Sequence, residues 1–135
     1  MTAANPMMPA MPTMTMSVLL VEDDEVVRTS MCFALESAHL RVIEAGTVAE
    51  GLRRFHEVPV DVVVIDLHLP DGTGYDLARW LWQQRPQLPL VMISTDPEAA
   101  GDVPQRPEHG RSTLLAKPFS ASALLDAISL VAAHG

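Results

Sequence analysis

Four apolar runs in this sequence of 135 residues each end on side chains able to do chemistry. Residues 17–21 run into Glu22, Asp23, Asp24 and Glu25; residues 62–65 end on Asp66; residues 89–93 end on Ser94 and Thr95; residues 112–116 end on Lys117. If these runs are parallel strands of one sheet, their carboxyl ends share one edge, which is where open parallel sheets bind ligands. Glu22, Asp23, Asp66, Ser94 and Lys117 then meet there. Carboxylates that converge without a cation repel and raise one another's pKa. A hard divalent cation removes the conflict, and Mg2+ suits an oxygen-only site that leaves room for a phosphate oxygen. A carboxylate beside Mg2+, an ammonium and a hydroxyl can accept a phosphoryl group. Asp66 would be the nucleophile, and Lys117 would balance charge on the phosphoryl oxygens. A compact ammonium suits that role better than the wider fork of arginine, and Lys117 is the only lysine of the chain. Each part also has an ordinary reading: a dipole-satisfying helix start, a cap, a Lys-Pro turn. The combination is far more specific than its parts.

The elements that must position these residues follow from hydrophobic periodicity. Residues 62–65 are all β-branched and show no polar alternation, so they form a strand buried on both faces. A helix over 25–38 presents Val27, Met31, Phe33, Ala34, Leu35 and Ala38 as its apolar face, and Cys32 on it is packing rather than chemistry. Residues 41–45 form a short strand. Thr47 and Glu50 make a capping-box pattern that opens a helix through about Glu57, with Val48, Leu52 and Phe55 inward. After the 70–74 loop, a helix over 75–85 buries Leu77, Ala78, Leu81 and Trp82, leaves at least one of Trp80 and Trp82 exposed, and stops at Pro86. Over 96–111, Pro97, Pro104, Pro107, Gly101 and Gly110 leave little room for a long regular helix. Ser120 caps a last helix facing inward through Leu124, Leu125, Ile128 and Val131. Strand and helix alternate five times, which predicts a doubly wound α/β structure with a five-stranded parallel sheet. Residues 1–16 carry no charge and no period and read as a disordered tail, with a single domain over 17–135.

Composition narrows the partners. A net charge of −8 argues against nucleic acid as a direct partner. The single cysteine excludes an internal disulfide and fits a reducing cytoplasm. No apolar run approaches the roughly 20 residues that cross a bilayer.

Three segments carry a resemblance. Val18-Leu19-Leu20-Val21-Glu22-Asp23-Asp24, Asp66-Leu67-His68-Leu69-Pro70-Asp71-Gly72-Thr73-Gly74 and Lys117-Pro118-Phe119 resemble the signature segments of the response regulator receiver domain, in its order and approximate spacing. The resemblance implies a flavodoxin-like fold with strand order 2-1-3-4-5. It also implies a signalling module rather than an enzyme, in which Asp66 takes a phosphoryl group from a sensor histidine kinase or histidine phosphotransferase. Glu22 and Asp23 map to the acid pair that holds Mg2+, with Asp66 and the backbone carbonyl of His68 as further ligands. Ser94 maps to the switch hydroxyl and Lys117 to the phosphoryl-contacting lysine. Asp24 competes for the acid pair by one residue of register; Arg28, placed where the family's first helix commonly carries an arginine, favours Glu22 and Asp23.

Three positions depart from the family pattern. Leu114 stands where an aromatic switch ring is usual, Thr95 where a small residue is favoured, and the proline-rich 96–111 segment where the fourth helix and part of the output surface should lie. The chain ends just after the last helix, which leads to the expectation of a stand-alone phosphoacceptor. It would act through a downstream protein partner, with a homodimer as a further assembly and no direct DNA binding. The alternative is a pseudo-receiver used as an interaction scaffold. An aspartyl-phosphate phosphohydrolase of the haloacid dehalogenase type is disfavoured, because its second acid would fall at His68.

Overall fold

The computed structural model describes residues 15–96 and 111–132. In chain order the elements are β1 (Ser17–Val21), α1 (Glu25–Ser37), β2 (Arg41–Ala45), α2 (Val48–Glu57), β3 (Val62–Asp66), β4 (His68–Leu69), β5 (Gly72–Thr73), α3 (Gly74–Gln84), β6 (Leu90–Ser94), β7 (Ser112–Ala116) and α4 (Ala121–Ala132). The main sheet is parallel throughout, in the order β2-β1-β3-β6-β7. Setting aside the small antiparallel β4–β5 hairpin, this is the flavodoxin-like order 2-1-3-4-5.

Side chains alternate across the pleat, so each buried strand feeds two cores. Leu19, Val21, Val63, Ile65, Leu90 and Met92 pack on one face with Leu77, Leu81 and Trp82 of α3 and the partly buried Val48, Leu52 and Phe55 of α2. Val18, Leu20, Val62, Val64, Val91 and Ile93 pack on the other face with Met31 and Leu35 of α1 and Leu124, Ile128 and Val131 of α4. The central strands β1, β3 and β6 are buried along their whole length, which explains why their sequences show no polar alternation.

Two of the four described helix starts are capped by the expected residues. Thr47 accepts the Glu50 amide at 3.0 Å and Ser120 that of Ala123 at 3.0 Å. Glu50 turns back to the amide of Gly46, at 2.7 Å, rather than to that of Thr47. The buried Trp82 gives its indole N–H to the Leu88 carbonyl at 2.8 Å, while Trp80 is exposed.

Other expectations give way. Ala38, expected on the inward face, is exposed and stands at the C-cap just past the end of α1. Phe33 is 74% exposed, and Cys32 takes a buried place instead. Phe33 lies two positions from both Met31 and Leu35, roughly 200° around the helix from each, so it cannot share their face. The 70–74 loop contains half of the hairpin, pairing His68 with Thr73 and Leu69 with Gly72. The expected disordered tail and degenerate fourth helix fall almost wholly on residues 1–14 and 97–110, outside the described residues. At the end of the tail, the Met16 carbonyl accepts the Arg41 amide at 3.0 Å, so this residue is tied to the first residue of β2. Among the described residues, no helix is long and apolar enough to cross a membrane.

Candidate functional site

Parallel register brings the strand ends together. Val21 pairs with Ile65, Asp66 with Ile93, and Ser94 with Ala116, so Glu22, Asp66, Ser94 and Lys117 arrive at one edge. The Lys117 ammonium donates to Glu22 Oε1 at 2.9 Å and to Asp66 Oδ2 at 2.9 Å. Glu22 and Asp66 are buried and Asp23 is exposed, yet one oxygen from each of the three lies within 4.8 Å of the others. The remaining oxygens of the two buried acids are also engaged. Asp66 Oδ1 accepts the His68 amide at 2.9 Å, and Glu22 Oε2 accepts the Asp24 amide at 3.1 Å.

The charges do not balance. Three carboxylates face one ammonium, which leaves two negative charges when all are ionised. A divalent cation matches that deficit and this oxygen-only donor set. Burial pushes the Glu22 carboxyl above its ordinary range, more than the Lys117 ammonium and the Asp24 amide pull it down, and neighbouring Asp66 adds to the rise. Burial pulls the Lys117 ammonium down, but its hydrogen bonds to Glu22 and Asp66 and their charge together push it above its ordinary value.

These directions set the pH dependence of stability in the metal-free protein. Between 4.5 and its raised value, Glu22 binds more proton in the folded chain than in the unfolded one. Stability contributed there is present at low pH and lost as pH rises. Lys117 acts the same way at the alkaline end, its contribution present below 10.5 and lost as pH rises above it. In EDTA, urea unfolding should therefore show greater stability near pH 5 than near pH 8. Glu22→Gln should flatten that slope, and an equal slope in the variant would refute the assignment.

Asp24, the neighbouring acid, is engaged elsewhere. Its side chain caps α1, accepting the amides of Val26 at 2.9 Å and Val27 at 3.1 Å, and so faces the helix. Arg28 holds the Glu22 carbonyl at 2.7 Å and Glu44 at 3.0 Å, which braces the loop carrying the acids. Ser94 is fully buried, but its hydroxyl stays within its own loop, donating to the Asp96 carbonyl at 3.1 Å and accepting the Asp96 amide at 3.0 Å. The His68 side chain is exposed, leaving its backbone as the part that serves the site. Cys32 is buried with its thiol pushed up to about 12, chiefly by burial, so it stays protonated at neutral pH.

Two residues of the 70–74 loop matter more than its sequence indicated. A Cβ on Gly74 would lie 2.2 Å from the Asp66 carbonyl oxygen, so this glycine lets α3 start directly against the end of β3. Asp71 reaches across to the first two amides of α2. Glycine after a turn was a readable signal for the first; no local pattern marks the second.

A family model described as the response regulator receiver domain matches residues 18–129. The chain belongs to the response regulator receiver family. Among solved structures, it is similar to a CheY-like receiver domain protein from Methanospirillum hungatei, with a TM-score of 0.80, 23% identity and coverage of 89% of this chain and 95% of that one. A second is the non-phosphorylated HemR receiver domain from Leptospira biflexa, with a TM-score of 0.77, 30% identity and coverage of 87% and 94%. Among curated proteins, it is 34% identical over 103 residues to the KDP operon transcriptional regulatory protein KdpE of Escherichia coli, covering 76% of this chain and 45% of that protein. It is 40% identical over 80 residues to the DNA-binding transcriptional activator DevR/DosR of Mycobacterium tuberculosis, covering 58% and 37%. The receiver chain thus spans less than half the length of these two relatives.

The relatives correct the expected partner set. Net charge was read as setting nucleic acid aside, yet one of these relatives is a DNA-binding activator and another a transcriptional regulator. The charge of a receiver segment reports on that segment alone, so the exclusion of DNA from the partners does not stand.

Proposed function

We propose that this receiver accepts a phosphoryl group on Asp66 from a histidine kinase or histidine phosphotransferase and signals through the phosphorylated form. The observation that carries the reading is the setting of Asp66: buried at a strand end, with one oxygen on the Lys117 ammonium and the other on the His68 amide. That arrangement orients the carboxylate for in-line attack on phosphorus, with the donor's imidazole or acetate as leaving group. Lys117 then has a natural further partner in the oxygens of the incoming group. Glu22, Asp23, Asp66 and the His68 carbonyl would hold Mg2+, which when bound neutralises charge on the phosphoryl oxygens. Ser94 would serve as the switch hydroxyl, leaving Asp96 to reach the new group.

Incubating the purified chain with acetyl phosphate and Mg2+ should add the mass of one phosphoryl group, and Asp66→Asn should add none. A wild-type chain that stays unmodified at saturating Mg2+ would favour the pseudo-receiver scaffold, the reading to which Leu114 in place of an aromatic switch ring already lends weight.

A further inference from the structure

The first amides of a helix have no partner within it. In α2 they are satisfied from two sources. Thr47 supplies the near one, accepting the Glu50 amide at 3.0 Å. The other two go to a residue 22 and 23 positions away: Asp71 Oδ1 accepts the Val48 amide at 2.7 Å, and Oδ2 accepts the Ala49 amide at 3.0 Å. Asp71 stands in the turn of the β4–β5 hairpin, whose other end carries His68, the donor to Asp66 Oδ1. A hairpin with two residues in each strand does not hold its own shape in water. It must be fixed from outside. Leu69 packs against the core beneath α2 and α3, and a Cβ on Gly72 would lie 3.4 Å from Val48 Cγ2, so the hairpin lies against the start of α2. Hydrogen bonds from the Val48 and Ala49 amides also hold the Asp71 carboxyl below its ordinary range, so it is ionised at neutral pH.

We propose that Asp71 is a positioning residue for the phosphoacceptor: by gripping the first turn of α2 it fixes the hairpin, and with it the His68 amide against the Asp66 carboxylate. The proposal rests on the phosphoacceptor reading for its kinetic consequence, though not for its structural one. It makes α2 the rigid element against which the acceptor loop is set. The bond between Asp71 and α2 is also a path by which a change at Asp66 reaches that helix.

The test uses Asp71→Ala, Asp71→Asn and Thr47→Ala in the full chain. Hydrogen exchange of the His68 amide is followed by NMR without any phosphodonor, and the initial rate of phosphoryl uptake is measured with acetyl phosphate and Mg2+. In Asp71→Ala, protection of the His68 amide should fall about tenfold as the loop opens locally. Uptake should slow about tenfold as the carboxylate loses its fixed aim. Asp71→Asn keeps one oxygen acceptor and should fall between, and it carries the comparison if Asp71→Ala does not fold. Thr47→Ala weakens the same helix from its own side and should leave both readouts near wild type. Wild-type protection and rate in Asp71→Ala, or the same losses in Thr47→Ala, would overturn the proposal. If the wild-type chain takes up no phosphoryl group, the functional reading fails, and the His68 exchange alone decides the positioning role.

Discussion

Replacing Lys117 with methionine is expected to destabilise the folded chain by about 3 kcal/mol at neutral pH, the cost of stranding buried charge when one partner of a buried pair is removed. The ammonium sits at 2.9 Å from both Glu22 and Asp66, and their side chains are only 1% and 6% exposed, so its removal leaves two carboxylates largely shut off from solvent. The size of the loss should depend on conditions in a way that identifies its origin. Glu22 already binds protons more readily than an ordinary carboxyl, and without the ammonium it would do so more strongly still. The deficit should therefore shrink as pH falls toward 4.5. Millimolar Mg2+ should recover part of it at pH 7, because anything bound only by the folded state stabilises it. Combining Lys117→Met with Glu22→Gln removes a stranded charge together with its partner, so the double variant should be more stable than the sum of the single losses predicts. Urea unfolding in EDTA and in Mg2+ measures all of this, and a Lys117→Met chain as stable as wild type in EDTA at pH 7 would refute it. In the phosphorylation assay the same variant should lose about 10²-fold in rate, the usual effect of removing one preorganised group that stabilises developing charge.

How much of this was legible beforehand depends on whether the information is local. The sheet was readable because Val62, Val63, Val64 and Ile65 form an unbroken β-branched run, and short, largely apolar runs precede Glu22, Ser94 and Lys117. Topology then does the assembling. Parallel strands put their carboxyl ends on one edge, and residues as far apart as Glu22 and Lys117, 95 positions along the chain, meet at hydrogen-bond distance. Phase on a helix was less legible. Val26, Val27, Met31, Cys32, Phe33 and Leu35 are all apolar and surround α1 on more than one side, so hydrophobicity alone cannot say that Phe33 faces out and Cys32 in. The hairpin was not legible because two-residue strands are shorter than any period can reveal. The grip of Asp71 on α2 was not legible for a different reason. An aspartate beside glycine in a turn looks like a residue that serves its own turn, and only the tertiary fold supplies α2 as its partner.

The same distinction applies to charge. An acidic balance taken over the whole segment was read as a statement about partners, when part of it is a statement about the site. Glu22, Asp23 and Asp66 concentrate negative charge where a cation and a phosphoryl group would be received, and Asp24 spends its charge on a helix start. Net charge sums these without distinguishing them.

Among the described glycines with no positive φ, Gly74→Ala should be the most damaging alanine substitution, although it adds one methyl group at a helix start. The new Cβ would lie 2.2 Å from the Asp66 carbonyl oxygen, 2.6 Å from Ile65 Cγ2 and 2.9 Å from the Asp66 carbonyl carbon. Two of those atoms are backbone of Asp66, the proposed acceptor, so relief requires β3 and α3 to separate. The Gly74 amide, bonded to the Leu67 carbonyl at 3.0 Å, ties the two elements together at that point and resists the separation. Overpacking of a tight contact costs about 1–3 kcal/mol, and the lower end needs neighbours free to move, which backbone is not. Gly51 supplies the contrast. Its added Cβ would meet Leu77 Cδ2 at 3.0 Å and Val21 Cγ2 at 3.3 Å, both ends of side chains, and alanine is the better helix former. Gly51→Ala should therefore unfold within about 1 kcal/mol of wild type, whereas Gly74→Ala should lose more than twice that. The functional loss should be larger again. A shift of Asp66 by even 1 Å relative to Lys117 and the His68 amide is worth about 10² in rate. Phosphoryl uptake by Gly74→Ala, measured well below its unfolding midpoint, should thus fall by far more than its unfolded fraction accounts for. Equal rates in the two glycine variants would show that the acceptor is not held by this contact.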